Sequence, residues 1–160
     1  MSKYNGLKRD KRKFEKYHYN NCYTYAINQP INPYTGKSYE DYGHCQPGYL
    51  GGKGIKLDVP YDKKLIKLAR KDLKKLGYKL IKSSFKEYVD DENCWKVALC
   101  YANDDYHWYR QNKDGTWSHK LGTNKVKYKD EDDKIIRNPE QCNRGKYKNF
   151  VGFYLIKKVS

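Results

Sequence analysis

One cysteine and two histidines of this chain are spaced so that they could carry out acyl chemistry. Cys22 stands in Asn20-Asn21-Cys22-Tyr23-Thr24-Tyr25-Ala26, and His107 and His119 flank the turn of an aromatic-rich stretch running from Asp104 to Gly122. A cysteine is a nucleophile only as its thiolate, so it needs a base to take its proton. An imidazole serves as that base and can return the proton to the leaving group. A third polar group must then orient the imidazole. Assigned this way, Cys22 is the nucleophile, His107 the general base and acid, and His119 the orienting group. One histidine can orient another, because a neutral imidazole has one donor and one acceptor nitrogen. Asp105, Asn138 and Asp130 are the alternatives to His119 in that role.

The elements that must position these groups are legible in outline. Two alternating aromatic segments around Asn112-Lys113-Asp114-Gly115 predict a β-hairpin with glycine in the left-handed position. A loop centred on Lys113 sets His107 opposite His119. A loop with a glycine bulge sets His107 opposite Leu121, with His119 two residues back on the same strand. Side chains alternate with period two, so either register puts both histidines on one face. Arg110 and Lys120, candidates for holding an anionic substrate group, then turn away from their histidine neighbours.

Asn20 or Asn21 is a suitable N-cap, and Tyr23, Ala26 and Ile27 recur at helical spacing, so a short helix must end by Gln29-Pro30. Cys22 falls in its first turn, where unpaired amides favour a thiolate and offer an oxyanion site. The alternative is a small buried core cysteine. Residues 29–59 are rich in glycine and proline and read as a long loop forming one wall of a site. Gln46 in that loop, with Tyr23, Tyr109 and Trp117, are the candidates for the substrate wall. His44-Cys45 raises zinc, but no further pair of ligands stands nearby at suitable spacing, so neither metal nor other cofactor is expected.

Residues 60–76 predict a packing helix, with Leu65, Ile66, Leu68, Ala69, Leu73 and Leu76 on one stripe, Asp62 at its start and Gly77 at its end. Extended pieces follow at 78–82, 95–102, 125–129 and 150–158, with a turn at the acidic run 130–133. The expected architecture is α+β: a nucleophile helix and a second helix packed on an antiparallel sheet. It occupies one domain, 17–160, behind a basic arm, 1–16.

Composition bounds the rest. The net charge is +15, and the 18 tyrosines outnumber phenylalanine and tryptophan together, so the core must satisfy many hydroxyls. The charge has two readings, an anionic partner such as nucleic acid, or the lysine-rich composition of an AT-rich genome. Five cysteines without a Cys-x-x-Cys pair fit a reducing compartment. No apolar run reaches membrane-spanning length and no signal peptide is visible, so the expected location is the cytoplasm, or a virion if the source is viral.

A helix-start cysteine, then strands, then two histidines on adjacent strands resembles the NlpC-type branch of papain-like peptidases. The resemblance implies a papain-like fold, a Cys-His-His triad of Cys22, His107 and His119, and cleavage of amide bonds in peptide-like substrates. Asn21-Cys22-Tyr23-Thr24 stands where that branch usually has Asp-Cys-Ser-Gly. From residue 20 onward the chain is also similar to an uncharacterised group of bacterial and viral proteins. The shared features are Asn20–Ala26, Gln46-Pro47-Gly48, Asp105–Arg110, Gly115–Gly122, Asn138-Pro139 and Tyr147…Tyr154. That likeness brings no established activity, but it implies that Cys22, His107 and His119 belong to one constellation. Two functions are therefore expected: a cysteine hydrolase or acyl transferase acting on an amide or ester, or an inactive papain-like scaffold serving as a basic structural or nucleic-acid-binding protein.

Overall fold

Asn21 has an extended backbone, accepts the Thr24 N–H at 2.9 Å, and donates its own N–H to Thr24 Oγ1 at 3.1 Å. This reciprocal capping box starts helix α1, Cys22–Ala26. The helix stops because Asn28 turns left-handed (φ 55°) just ahead of Pro30. A single turn of helix does not persist by itself, so the strands below must hold it. The computed structural model describes residues 6–7, 16–39, 45–54, 64–89, 91–122 and 125–159.

Helix α2, Lys64–Lys75, buries Leu65, Ile66, Ala69 and Leu73 and leaves its lysines exposed. Gly77, at φ 89°, ends it as expected, and the predicted cap Asp62 lies outside the described residues. One buried position breaks the apolar stripe. Asp72 is fully buried and accepts from Tyr23 Oη (2.6 Å), Gly48 N (2.8 Å) and Gly51 N (2.6 Å). Its carboxylate thus pins the glycine-rich loop to both helices, and burial raises its pKa against the pull of those three donors.

The strands are β1 (Tyr78–Ser83), β2 (Cys94–Tyr101), β3 (Tyr106–Gln111), β4 (Trp117–Ser118) and β5 (Asn149–Lys158). They form one sheet in the order β1-β5-β2-β3-β4, with every pairing antiparallel. The chain is therefore α+β, two helices with a five-stranded antiparallel sheet among the described residues. Alternation sorts the strand side chains into two cores. Val97, Leu99, Trp108, Tyr154 and Ile156 meet the helices, while Ala98, Cys100, Tyr109, Trp117 and Phe153 meet Ile136 on the opposite face. Burial on both faces explains why β2 reads as a continuous apolar run.

Lys96 interrupts that run. Its ammonium donates to the carbonyls of Ser84 (2.7 Å) and Phe85 (3.1 Å), holding the segment after β1 across the sheet. One expectation needs correction. Residues 125–129 form no strand; Lys127 and Lys129 make isolated bridges to His119 and Ile135. Within the basic arm, the Leu7 amide donates to Gln111 O at 3.1 Å and its carbonyl accepts from Lys113 N at 3.2 Å. Of the rest of that arm only Gly6 and Lys16 are described.

Candidate active site

The hairpin pairs Arg110 with Ser118 and Gln111 with Trp117, and Gly115 takes φ 88°. This is the glycine-bulge register, in which His119 falls across from Tyr109 and diagonal to His107. The rings agree with it: Tyr109 stacks on His119 at 4.7 Å and meets His107 edge-on at 4.8 Å. Both histidines occupy one face, and His107 Nε2 lies 2.8 Å from His119 Nδ1.

A backbone carbonyl sets the direction of that bond. His119 Nε2 is 3.0 Å from Lys129 O, which can only accept, so Nε2 carries the proton. In the neutral ring His119 Nδ1 is then an acceptor, and His107 Nε2–H donates to it. His107 is left with Nδ1 unprotonated, the nitrogen able to receive a proton. Sequence offered no signal for Lys129, because a carbonyl oxygen is common to every residue. The other orienting candidates are engaged elsewhere. Asp105 accepts from Tyr106 N (2.8 Å) and Tyr147 Oη (2.9 Å), Asn138 caps the turn at Glu140 N (3.0 Å), and Asp130 caps Asp132 N (2.9 Å), Lys134 N (3.0 Å) and Asn143 N (3.1 Å).

Cys22 approaches β3 from the helix side, beside the residue next to His107. Ala102 N bonds Asp105 O, so alternation along the β2–β3 ladder turns the Trp108 amide away from β2. There the two-residue β4 leaves the edge of β3 uncovered, and the Cys22 thiol lies against that amide, next in sequence to His107. The amides of Tyr23 and Cys22 also bear on the sulfur and favour its anion. Burial outweighs them and pushes the thiol up to about 12, with the Asp105 carboxylate adding to the rise. Among the described residues no hydrogen bond joins the sulfur to either imidazole. Burial thus opposes the thiolate that the helix-start amides favour. Cys22, at 8% exposure against 1% for His107, is the outermost of the three.

Two cations clasp helix α1. Lys120 Nζ donates to Tyr17 O (2.6 Å), His18 O (3.2 Å) and Asn20 O (2.5 Å), just ahead of Cys22. Arg110 Nη1 donates to Tyr25 O at 2.8 Å, and its guanidinium lies 3.8 Å from the centre of the Tyr25 ring. Trp95 Nε1 closes the end on Ala26 O at 2.9 Å. Arg110 and Lys120 do turn away from the histidines, but both are fully buried on backbone carbonyls and hold no substrate group. Arg110 and Lys120, each close in sequence to a histidine of the pair, therefore fix the cysteine helix from the other face.

The wall candidates divide. Tyr23, Tyr109 and Trp117 are buried in the two cores and form no surface, because β3 and β4 are covered on both faces. Gln46 is half-buried and accepts the Tyr106 hydroxyl, which ties the glycine-rich loop to the start of β3. Asn21 Nδ2 donates to Cys45 O at 3.0 Å, so the same loop also meets the helix cap. His44 lies outside the described residues, and among those described no group of three or more His, Cys, Asp or Glu is placed to hold a metal ion.

The histidine pair has a measurable consequence for stability. Burial, together with the neighbouring His119, holds His107 well below the usual imidazole value; burial lowers His119 too, against the Lys129 carbonyl. Unfolded imidazoles titrate near 6.5, so below about that pH the unfolded chain binds protons that the native pair refuses. Stability is thus complete above pH 6.5 and falls on acidification, by up to about 1.4 kcal/mol per pH unit for each histidine. Urea denaturation between pH 7 and pH 5 should show this slope, and His107→Phe should reduce it.

The chain matches no protein-family model and no solved structure. It is similar to "Insoluble matrix shell protein 1" of Ruditapes philippinarum, 25% identical over 141 residues that cover 84% of this chain and 77% of that protein. No helix among the described residues is long and apolar enough to cross a membrane.

Proposed function

We propose that this chain is a papain-like cysteine hydrolase or acyl transferase acting on a peptide-like amide or an ester. The observation that supports it best is the directed chain from Lys129 O through His119 to His107. It leaves one basic nitrogen, Nδ1, on His107, the residue next in sequence to Trp108, whose amide the Cys22 sulfur lies against. In the reaction Nδ1 takes the thiol proton as sulfur attacks the carbonyl carbon. The amides of Cys22 and Tyr23 are the donors for the oxyanion. The imidazolium returns its proton to the departing amine or alkoxide, leaving a thioester on Cys22. His107 then deprotonates water, or an acceptor nucleophile, which attacks the thioester and restores the thiol. His119 stays neutral throughout and accepts the Nε2 proton bond, which strengthens when His107 is charged.

The test is turnover of fluorogenic amides and aryl esters by the wild-type chain, Cys22→Ser and His107→Ala. Turnover lost in both variants supports the reading. Turnover unchanged in Cys22→Ser overturns it.

A second reading, a basic structural or binding scaffold that no longer turns over, has its own support. Burial disfavours the Cys22 thiolate, the surface carries an excess of lysine, and the similar clam protein is named for a shell matrix. On this reading the chain binds nucleic acid or another anionic polymer. Binding should then weaken steeply between about 50 and 200 mM salt. No binding at low salt removes it.

A further inference from the structure

We propose that Tyr147 is a positioning residue that stabilises the charged form of His107, with Asp105 acting behind it. This rests on the hydrolase reading for its purpose, though not for its test.

Among the described residues no carboxylate bonds either imidazole, so the cation formed when His107 takes the Cys22 proton lacks the usual acidic partner. What it has is a ring face. The Tyr147 ring stacks on His107 with centroids 5.0 Å apart and planes 19° apart. The face of an aromatic ring is its negative side, and a cation held against it while removed from water is stabilised. The far end of the ring is tuned as well. Tyr147 Oη donates to Asp105 Oδ2 at 2.9 Å, which pushes electron density into the ring, and Asp105 is itself held by the Tyr106 amide at 2.8 Å.

The other groups around His107 make different contacts. His119 Nδ1 accepts from Nε2, the Tyr109 ring stands perpendicular to the imidazole at 4.8 Å, and the Cys22 thiol lies against the Trp108 amide. The Cys100 thiol bonds the His107 carbonyl, not the ring. Lys146 opposes the effect, lying 3.2 Å from Asp105 Oδ2 and 5.4 Å from the Tyr147 ring centre, but its side chain is more than half exposed and water screens it. Asp105, a candidate for bonding an imidazole directly, thus acts at one remove through a phenol.

The experiment compares Tyr147→Phe, which keeps the ring and loses the carboxylate bond, with Tyr147→Leu, which keeps an apolar cover and loses the ring face. Two quantities are read: the pKa of His107 by nitrogen-15 NMR, and the alkylation rate of Cys22 by iodoacetamide as a function of pH. Asp105→Asn provides a variant with the ring untouched. Tyr147→Leu should lower the His107 pKa by about one pH unit and slow alkylation at pH 7 by about tenfold. Tyr147→Phe and Asp105→Asn should each have about a two- to threefold effect in the same direction. A residue that merely covered the imidazole would leave the His107 pKa unchanged when leucine keeps the cover, or raised where leucine admits water. An unchanged or raised His107 pKa in Tyr147→Leu therefore overturns the proposal. The titration needs no reaction, so it is decided independently of whether the enzyme turns over.

Discussion

Replacing His107 with alanine is expected to slow the alkylation of Cys22 at pH 7 by about a hundredfold or more, the usual contribution of a positioned general base. Burial pushes the Cys22 thiol up to about 12, so the sulfur has almost no thiolate of its own at neutral pH and must borrow a base. Cys142 supplies an internal reference, being less buried than Cys22 and raised only to about 11. Judged by thiol acidity and exposure, Cys142 should react first. If His107 serves Cys22, the order is reversed in the wild-type chain and restored in His107→Ala. Peptide mapping after brief labelling reads both rates in one sample. His119→Ala should fall between the two, since it removes the acceptor that fixes the His107 ring but leaves Nδ1 in place.

Lys120→Met should destabilise the chain by about 2–4 kcal/mol, because it strips the donor from three carbonyls and leaves buried acceptors unsatisfied. Lys120 is fully buried, and burial lowers its pKa to about 8, so it is charged at neutral pH and each bond is charge-assisted. The loss should also fall on the site. The three carbonyls belong to Tyr17, His18 and Asn20, the approach to the capping box that starts α1. Urea denaturation gives the stability change, and Cys22 alkylation under native conditions gives the local one. A lysine that only filled space would be replaced by methionine at a cost below about 1.5 kcal/mol, with Cys22 unaffected.

How far the sequence carried these conclusions depended on whether a residue's role follows from local geometry. The two histidines share a face because strand side chains alternate, and that held whichever turn the hairpin chose. Asn20 or Asn21 marks the start of α1 because an N-cap is a local event, while Thr24 as the other half of the capping box shows only in the fold. Asp72, Lys96 and Lys120 were not legible, because a charged side chain looks the same in sequence whether it faces water or a cluster of backbone groups. Arg110 and Lys120 turn away from the histidines as alternation requires, but nothing local tells a cation that holds a helix from one that holds a substrate. Tyr109 and Trp117 read as an exposed wall because nothing local reveals that Ile136 and Phe153 close over that face. Tyr147 belongs to the same class: forty residues separate it from His107, and only the folded chain stacks the two rings.

Whether Cys22 is a nucleophile served by His107 and His119 is decided by trapping the acyl group. The chain is mixed with an activated aryl ester, quenched within seconds, and the intact mass and its peptide location are read. One acyl group is expected on Cys22, formed and then lost by hydrolysis in the wild type and absent in Cys22→Ser. In His107→Ala its formation should be at least about a hundredfold slower. Acylation spread over Cys142 and surface lysines, with Cys22 unmodified and His107→Ala indistinguishable from wild type, would contradict that role for Cys22.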